Sequence, residues 1–390
     1  MALEHIKHLA LELGQEIPVD LYDADGILLL RKGYIIHDSG ELERLLIREL
    51  FTFSASANAA PPVRKRFRSN LFNSTCPFDL IRGVLVSMEN TLLALVRESN
   101  LEAAEDFVYE LANEIRRSCA LDPEATLACV SMDNHIRYSL KHPVDTAIVT
   151  ELVGRHLHLS SDDALAAVAA ALTMNLSMID IQDQLHKQPT PLSQEQRKRI
   201  QMHPIDSVLL LQKAGIKNRV WLRTVAEHHE MQDGTGYPNR LNAEKISTIA
   251  QLVSVADIYS AMLTDRAYRG GVLPNIALRE LFLSRGQGVD PVLAATLIKE
   301  MGIYPPGTLL RLENDEIAIV TSRGKNAKYP TVVNVVDAFD MPISLPMRRD
   351  IAQKAFAIRE VLNPNLFQIK LNRYMIWGYY QLSPYDPMTN

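Results

Sequence analysis

Apolar residues recur at helical spacing from Phe78 to about Met301, with a β-like pattern on either side, and this change of period confines the chain to a few architectures. Leu80, Val84, Met88, Leu92 and Leu95 form one stripe, and Phe107, Leu111 and Ile115 another. Both read as core positions. The segment containing His142 is predicted helical, with Pro143 in its first turn, and Leu159-Ser160-Ser161-Asp162 starts an Ala-rich helix. Before this run, Ile17, Val19 and Leu21 alternate, Asp25-Gly26 marks a turn and Ile27 to Leu30 return, which predicts a hairpin. Asp38 or Ser39 can cap a helix with Leu42, Leu45, Leu46 and Leu50 on one face. After Ile303 to Gly307 the period shortens again. Leu309 to Leu312, Glu316 to Thr321 and Thr331 to Val336 are β-like runs separated by Asn314-Asp315 and Gly324-Lys325-Asn326 turns. Tyr374 to Tyr380 reads as a last strand or an interface patch, with packing favoured. The expected fold is mainly α with a small N-terminal α/β module and a small C-terminal β-rich module. The expected divisions are 1–52, a linker over 53–75, a helical domain over 76–301 and a β-rich module over 302–390.

Composition narrows the function classes. The chain has 390 residues, 47% apolar and 22% charged, with a net charge of −5, so it can bury more than one core and carries no global basic field for DNA. Arg64-Lys65-Arg66-Phe67-Arg68 lies in a Ser-, Ala- and Pro-rich stretch and reads as a solvated linker run rather than an anion site. Cys76, Cys119 and Cys129 are odd in number and lack CxxC spacing, which points to a reducing cytoplasm. No apolar run is long enough to span a membrane.

The densest chemistry lies in His228-His229-Glu230-Met231-Gln232-Asp233-Gly234-Thr235-Gly236-Tyr237-Pro238. Two imidazoles and two carboxylates are donors for a divalent metal, and Asp233-Gly234 and Gly236 supply positive-φ positions for a sharp loop. The stretch reads as a helix end that carries ligands into a turn.

Written as HHExxDGxGYP, the stretch resembles the signature of the HD-GYP family, metal-dependent phosphohydrolases associated with cyclic-di-GMP hydrolysis. The likeness extends to Ile200 through Pro204, Val255-Ala256-Asp257 and Asp265 through Arg269, and covers roughly residues 132–301. It implies that His142, His203, His228, His229 and Asp257 hold metal. It further implies that Arg266 and Arg269 fork onto phosphate oxygens, unless they pair with Asp265 or Glu280, and that Tyr237 presents an aromatic face to a guanine. Asp23 through Gly33 resembles the accessory module that precedes some HD-GYP domains.

The dyad that names the superfamily is missing. The family's Leu-Leu-His-Asp-Ile-Gly-Lys falls on Leu172 through Met178, so Met174 stands for His, Asn175 for Asp and Met178 for Lys. A thioether is a poor ligand for iron, manganese or zinc, and Asn175 keeps the shape of Asp without its charge. The Lys that would offset phosphate charge is gone as well. The resemblance therefore implies a cyclic-di-GMP signalling protein with a degenerate phosphodiesterase domain. Such a protein holds at most one divalent ion of iron, manganese or zinc, and binds the nucleotide or a related phosphodiester with little or no hydrolysis. A signalling protein could dock on the HHExxDGxGYP loop. The alternative is an active phosphodiesterase with a reduced metal site.

Overall fold

The computed structural model describes residues 3–5, 16–17, 19–22, 28–30, 32–36, 50–53, 69–101, 103–132, 136–264, 271–284, 286, 288–324, 326–363 and 371–379. The predicted turn at Asp25-Gly26, most of the helix leading to Leu50, most of the linker, and Arg266 and Arg269 lie outside these residues. The chain folds as two compact units, Met1–Asn70 and Leu71–Asn390.

In the first unit, β1 (Leu3–His5), β2 (Leu21–Tyr22), β3 (Leu28–Leu30) and β4 (Phe51–Phe53) form an antiparallel sheet in the order β1-β4-β2-β3. Leu21 pairs with Leu30 across the hairpin, and Ile17, Leu21, Ile36 and Leu50 make a small core.

The second unit is mostly helical. Its elements are α1 (Pro77–Arg97), α2 (Ala104–Leu121), α3 (Pro123–Ser131), α4 (Tyr138–Gly154), α5 (Ser161–Thr173), α6 (Gln182–Lys187), α7 (Gln194–Ala214), α8 (Arg219–Glu227), α9 (Thr248–Leu263), α10 (Pro274–Ser284) and α11 (Pro291–Met301). All residues of the two predicted stripes are buried on α1 and α2. The central pair is α4 and α5. Ala166 to Ala171 on α5 are buried, and this run of small side chains lets neighbouring helices approach closely. At Gly154 an added Cβ would stand 3.2 Å from Leu252, so α4 and α9 also run close together.

Helix starts follow their caps. Ser160 accepts from the Asp163 amide, as the sequence suggests, and Ser193 with Gln196 forms a complete capping box at α7. Pro143 is a correction, because it sits in the second turn of α4 rather than the first. Asp183 on α6 accepts from the Ser139 amide (2.8 Å) and hydroxyl (2.9 Å), which anchors an additional turn upstream of the proline.

The period change after Tyr304 coincides with the switch from helix to sheet. Strands β5 (Leu309–Leu312), β6 (Ile317–Ser322), β7 (Thr331–Val336), β8 (Arg348–Arg349) and β9 (Ile358–Leu362) form an antiparallel sheet in the order β8-β7-β6-β5-β9. The sheet is tied to the helices by Arg323, whose Nε donates to Glu124 on α3 (2.7 Å) and whose guanidinium also reaches Glu300 on α11. Tyr374 belongs to a short helix, α12 (Arg373–Ile376), not to a last strand. Its ring and those of Trp377 and Tyr379 pack edge-on around Phe78, so interior packing decides the local conformation.

Candidate metal centre

Four helices deliver the candidate ligands. His203 lies on α7, His228 caps the C-terminus of α8 with His229 next in line, Asp257 is on α9 and His142 on α4. Glu227 fixes the α8 end relative to α9, its Oε2 accepting from the amide of Ser247, the residue that caps α9. The nitrogens that His203, His228 and His229 can offer lie within 4.8 Å of one another.

Hydrogen bonding sets the tautomers. Nδ1 of His203 donates to the Ile200 carbonyl at 2.6 Å, and Nδ1 of His228 to the Val225 carbonyl at 2.7 Å. A carbonyl only accepts, so both rings carry hydrogen on Nδ1 and, when neutral, present a lone pair on Nε2. The two Nε2 atoms stand 3.2 Å apart. Burial lowers the His203 pKa to about 3, with the His228 charge adding to the effect, and burial lowers that of His228 as well. Burial, then the charges of its neighbours His228 and His203, holds His229 well below its ordinary value.

Two facing lone pairs at this separation repel unless a cation lies between them. Two bonds of about 2.1 Å meeting at roughly 100° span that gap, which is ordinary imidazole coordination. By donor chemistry and spacing the three imidazoles fit a divalent ion.

Asp257 stands beside this cluster. Its Oδ1 accepts from His142 Nε2 at 2.7 Å, and its Oδ2 is 3.8 Å from His229 Nδ1. Burial pushes the carboxyl up, but the His142 hydrogen bond and the charges of His142, His229 and His228 outweigh it and leave Asp257 anionic. His142 is thus held as the partner of Asp257 and is not one of the three clustered imidazoles.

The loop after His229 is folded onto the histidine turn. Glu230 is buried, and its carboxylate accepts from the amides of Asn239 (2.7 Å) and Leu241 (2.8 Å). The Tyr237 amide donates to the His229 carbonyl, and its ring lies 4.7 Å from that of His229. Burial, then the Asp257 charge, raises the Tyr237 pKa and keeps the phenol protonated. The sequence reading of the glycines needs one correction. Gly234 has φ +76°, but Gly236 does not have positive φ; it is required by close approach, because a Cβ there would lie 2.5 Å from the His229 carbonyl oxygen.

A cavity of about 840 Å³ opens onto the cluster. His142, His203, His229, Tyr237 and Asp257 line it, and so do Asn175 and Met178. Met174 is instead fully buried in the hydrophobic core with Leu172 and Leu176. Sequence reasoning missed Tyr138, His186 and Arg197 in the cavity wall. Tyr138 stacks on His142 and His186 at ring separations of 4.9 and 4.5 Å, and its position one helical turn before His142 was the available signal.

Residues 119–293 match the family described as HD domain. This helical region is an HD domain of the HD-GYP family. Among the proteins this chain is similar to, the cyclic di-GMP phosphodiesterase PA4108 of Pseudomonas aeruginosa is 28% identical over 244 residues, covering 62% of this chain and 59% of that protein. The cyclic di-GMP phosphodiesterase response regulator RpfG of Xanthomonas campestris is 27% identical, covering 59% of this chain and 57% of that protein. The chain thus spans less than two thirds of the length of these relatives. Among solved structures, Bd1817, a HDG"Y"P protein from Bdellovibrio bacteriovorus, matches 76% of this chain and 99% of its own with a TM-score of 0.50 at 17% identity, a likeness of fold.

Proposed function

We propose that this chain is a cyclic-di-GMP signalling protein whose HD-GYP domain binds the nucleotide with at most one divalent ion, iron, manganese or zinc, and hydrolyses it little or not at all. The observation that carries this reading is the convergence of His203, His228 and His229, with Asp257 beside His229, next to a cavity that His203, His229 and Asp257 line together with Asn175 and Met178. In this reading His203, His228 and His229 hold the ion, and Asp257, oriented by His142, supplies its counter-charge. An ion so held supplies charge stabilisation for a phosphoryl oxygen and lowers the pKa of a bound water. Tyr237 offers a neutral phenol and a ring face to the ligand. Arg266 and Arg269 are proposed to contact phosphate, and the HHExxDGxGYP loop to form a protein-docking surface. The functional divisions proposed remain 1–52, 53–75, 76–301 and 302–390.

Among the described residues no helix is long and apolar enough to cross a membrane, and a cytoplasmic location is part of the proposal. The surviving donor cluster also supports a second reading, a phosphodiesterase that works with this reduced site. Metal analysis, cyclic-di-GMP calorimetry and a turnover assay with manganese or iron separate the two. One ion per chain, measurable binding and background turnover are expected. Steady turnover that disappears in a His228→Ala, His229→Ala double variant would establish the second reading instead.

A further inference from the structure

We propose that Arg197 is the cation that receives a ligand phosphate in this cavity, replacing the charge absent at Met178. The inference rests on the nucleotide-binding reading above and deepens it. Arg197, Ile200 and His203 follow one another at i, i+3 and i+6 along α7, about 9 Å of helix axis, and all three line the cavity. Met178 lines it too, so the methionine wall and the arginine face one space.

Arg197 is held by one edge and open at the other. Its Nε donates to the Leu192 carbonyl at 3.2 Å, and among the described residues its two terminal nitrogens have no hydrogen-bond or ion-pair partner. Arg199, two residues on, contrasts with it, since its guanidinium donates to both oxygens of Asp180 at 2.7 and 2.9 Å. A guanidinium with a fixed Nε and a free fork suits the two non-bridging oxygens of a phosphodiester.

The segment that anchors Arg197 is itself built. Gln196 closes the α7 capping box through the Ser193 amide, and its Nε2 donates to Gln188 Oε1 at 2.8 Å. Gln188 in turn donates to the Thr190 carbonyl at 3.1 Å and the Pro191 carbonyl at 3.3 Å. Gln188, Thr190, Pro191 and Leu192 therefore form a preset wall of the cavity, and the carbonyl that orients Arg197 belongs to it. The ligand class this assigns is a phosphodiester whose anionic group lies between Arg197 and the imidazole cluster, with its apolar portion against the wall of Met178, Ile258 and Met262.

The test is calorimetric titration of the full chain with cyclic-di-GMP and, separately, with inorganic phosphate, in the wild type and in Arg197→Ala, Arg197→Lys and Arg199→Ala. Variants are compared after thermal unfolding confirms that each is folded. Arg197→Ala is expected to weaken cyclic-di-GMP at least tenfold, Arg197→Lys several-fold because the fork is lost while the charge stays, and Arg199→Ala less than twofold. Should Arg197→Ala not fold, the Lys variant against Arg199→Ala gives the same comparison. Wild-type-like affinity in the Arg197 variants, or equal losses at Arg197 and Arg199, overturns the assignment while leaving nucleotide binding intact. Phosphate binding that depends on Arg197 without any cyclic-di-GMP binding would retain this phosphate site and refute the nucleotide reading. Binding of neither probe by the wild type overturns both.

Discussion

Removal of the Glu230 carboxylate should release the loop that carries Tyr237. Glu230 is 3% exposed and holds the Asn239 and Leu241 amides at 2.7 and 2.8 Å. A hydrogen bond to a charged group contributes about 1.5–3 kcal/mol net, so the two would together give about 3–6 kcal/mol. Asn239 is exposed and its amide rehydrates once the acceptor is gone, whereas Leu241 is half-buried. The loss in Glu230→Ala is therefore set at about 2–3 kcal/mol, confined to the loop. At tenfold per 1.4 kcal/mol this is a roughly 30- to 140-fold rise in the opening equilibrium. Hydrogen exchange of the segment 229–242, with α1 as an internal control, reads it directly. Glu230→Gln should fall between, because one amide keeps a carbonyl acceptor and the other faces an NH2 group. Exchange within threefold of wild type in Glu230→Ala would refute the clamp, and with it the claim that the motif's acidic residue positions the loop.

Three other outcomes follow from the same geometry. Gly236→Ala should cost at least about 2 kcal/mol by chemical denaturation, because the added Cβ meets the backbone at Met231, His229 and Glu230 and no flexible side chain can yield. The metal-free protein should lose stability as pH falls from about 6.5 toward 3. The lowered pKa of His203, near 3, means that the unfolded chain binds more protons across that window, with a slope of about 1.4 kcal/mol per pH unit for each such imidazole. A denaturation midpoint that stays flat from pH 7 to 5 would contradict this sign. Met174→His with Asn175→Asp should be less stable without metal, because an imidazole is forced into a position with 0% exposure, and should raise bound metal from one ion to two with turnover appearing.

What could be read from the sequence was what is local in it. The HHExxDGxGYP stretch folds on itself, with Glu230 reaching only as far as Leu241 and Tyr237 returning to His229, so the ligand-bearing turn was legible, although Glu230 clamps backbone amides rather than offering a metal donor and Gly236 answers to close approach rather than positive φ. The stripes on α1 and α2 and the helix start at Ser160 were legible for the same reason. Pairings across long separations were not. His142 meets Asp257 115 residues away, and nothing in either neighbourhood says that the histidine will bond the aspartate and stay outside the imidazole cluster. Arg197 looks like any arginine in the first turns of a charged helix, and only the empty space beside it distinguishes it from Arg199. At Tyr374 the packing favoured by the sequence is present and only the strand alternative fails, because Phe78, far away in the chain, offers the rings an interior to pack against and Asn372 caps the resulting turn.

The charge at the centre bears on how many ions it can hold. With neutral imidazoles, the cluster and Asp257 together carry one negative charge. A single divalent ion would leave a net +1, which one phosphodiester neutralises. Two divalent ions about 4 Å apart repel by roughly 16 kcal/mol at an effective dielectric of 20, and something anionic must lie between or beside them to offset it. An aspartate at position 175 would add a second carboxylate to this wall of the cavity; Asn175 adds none. Burial of Met174 removes the remaining donor from reach, since its side chain belongs to the core and not to the cavity. The proposed binding without turnover would then rest on electrostatics as much as on missing ligands: with Asp257 as its one carboxylate, the cluster balances one divalent ion and one phosphate, and a second ion would need the anionic group that Asn175 does not supply.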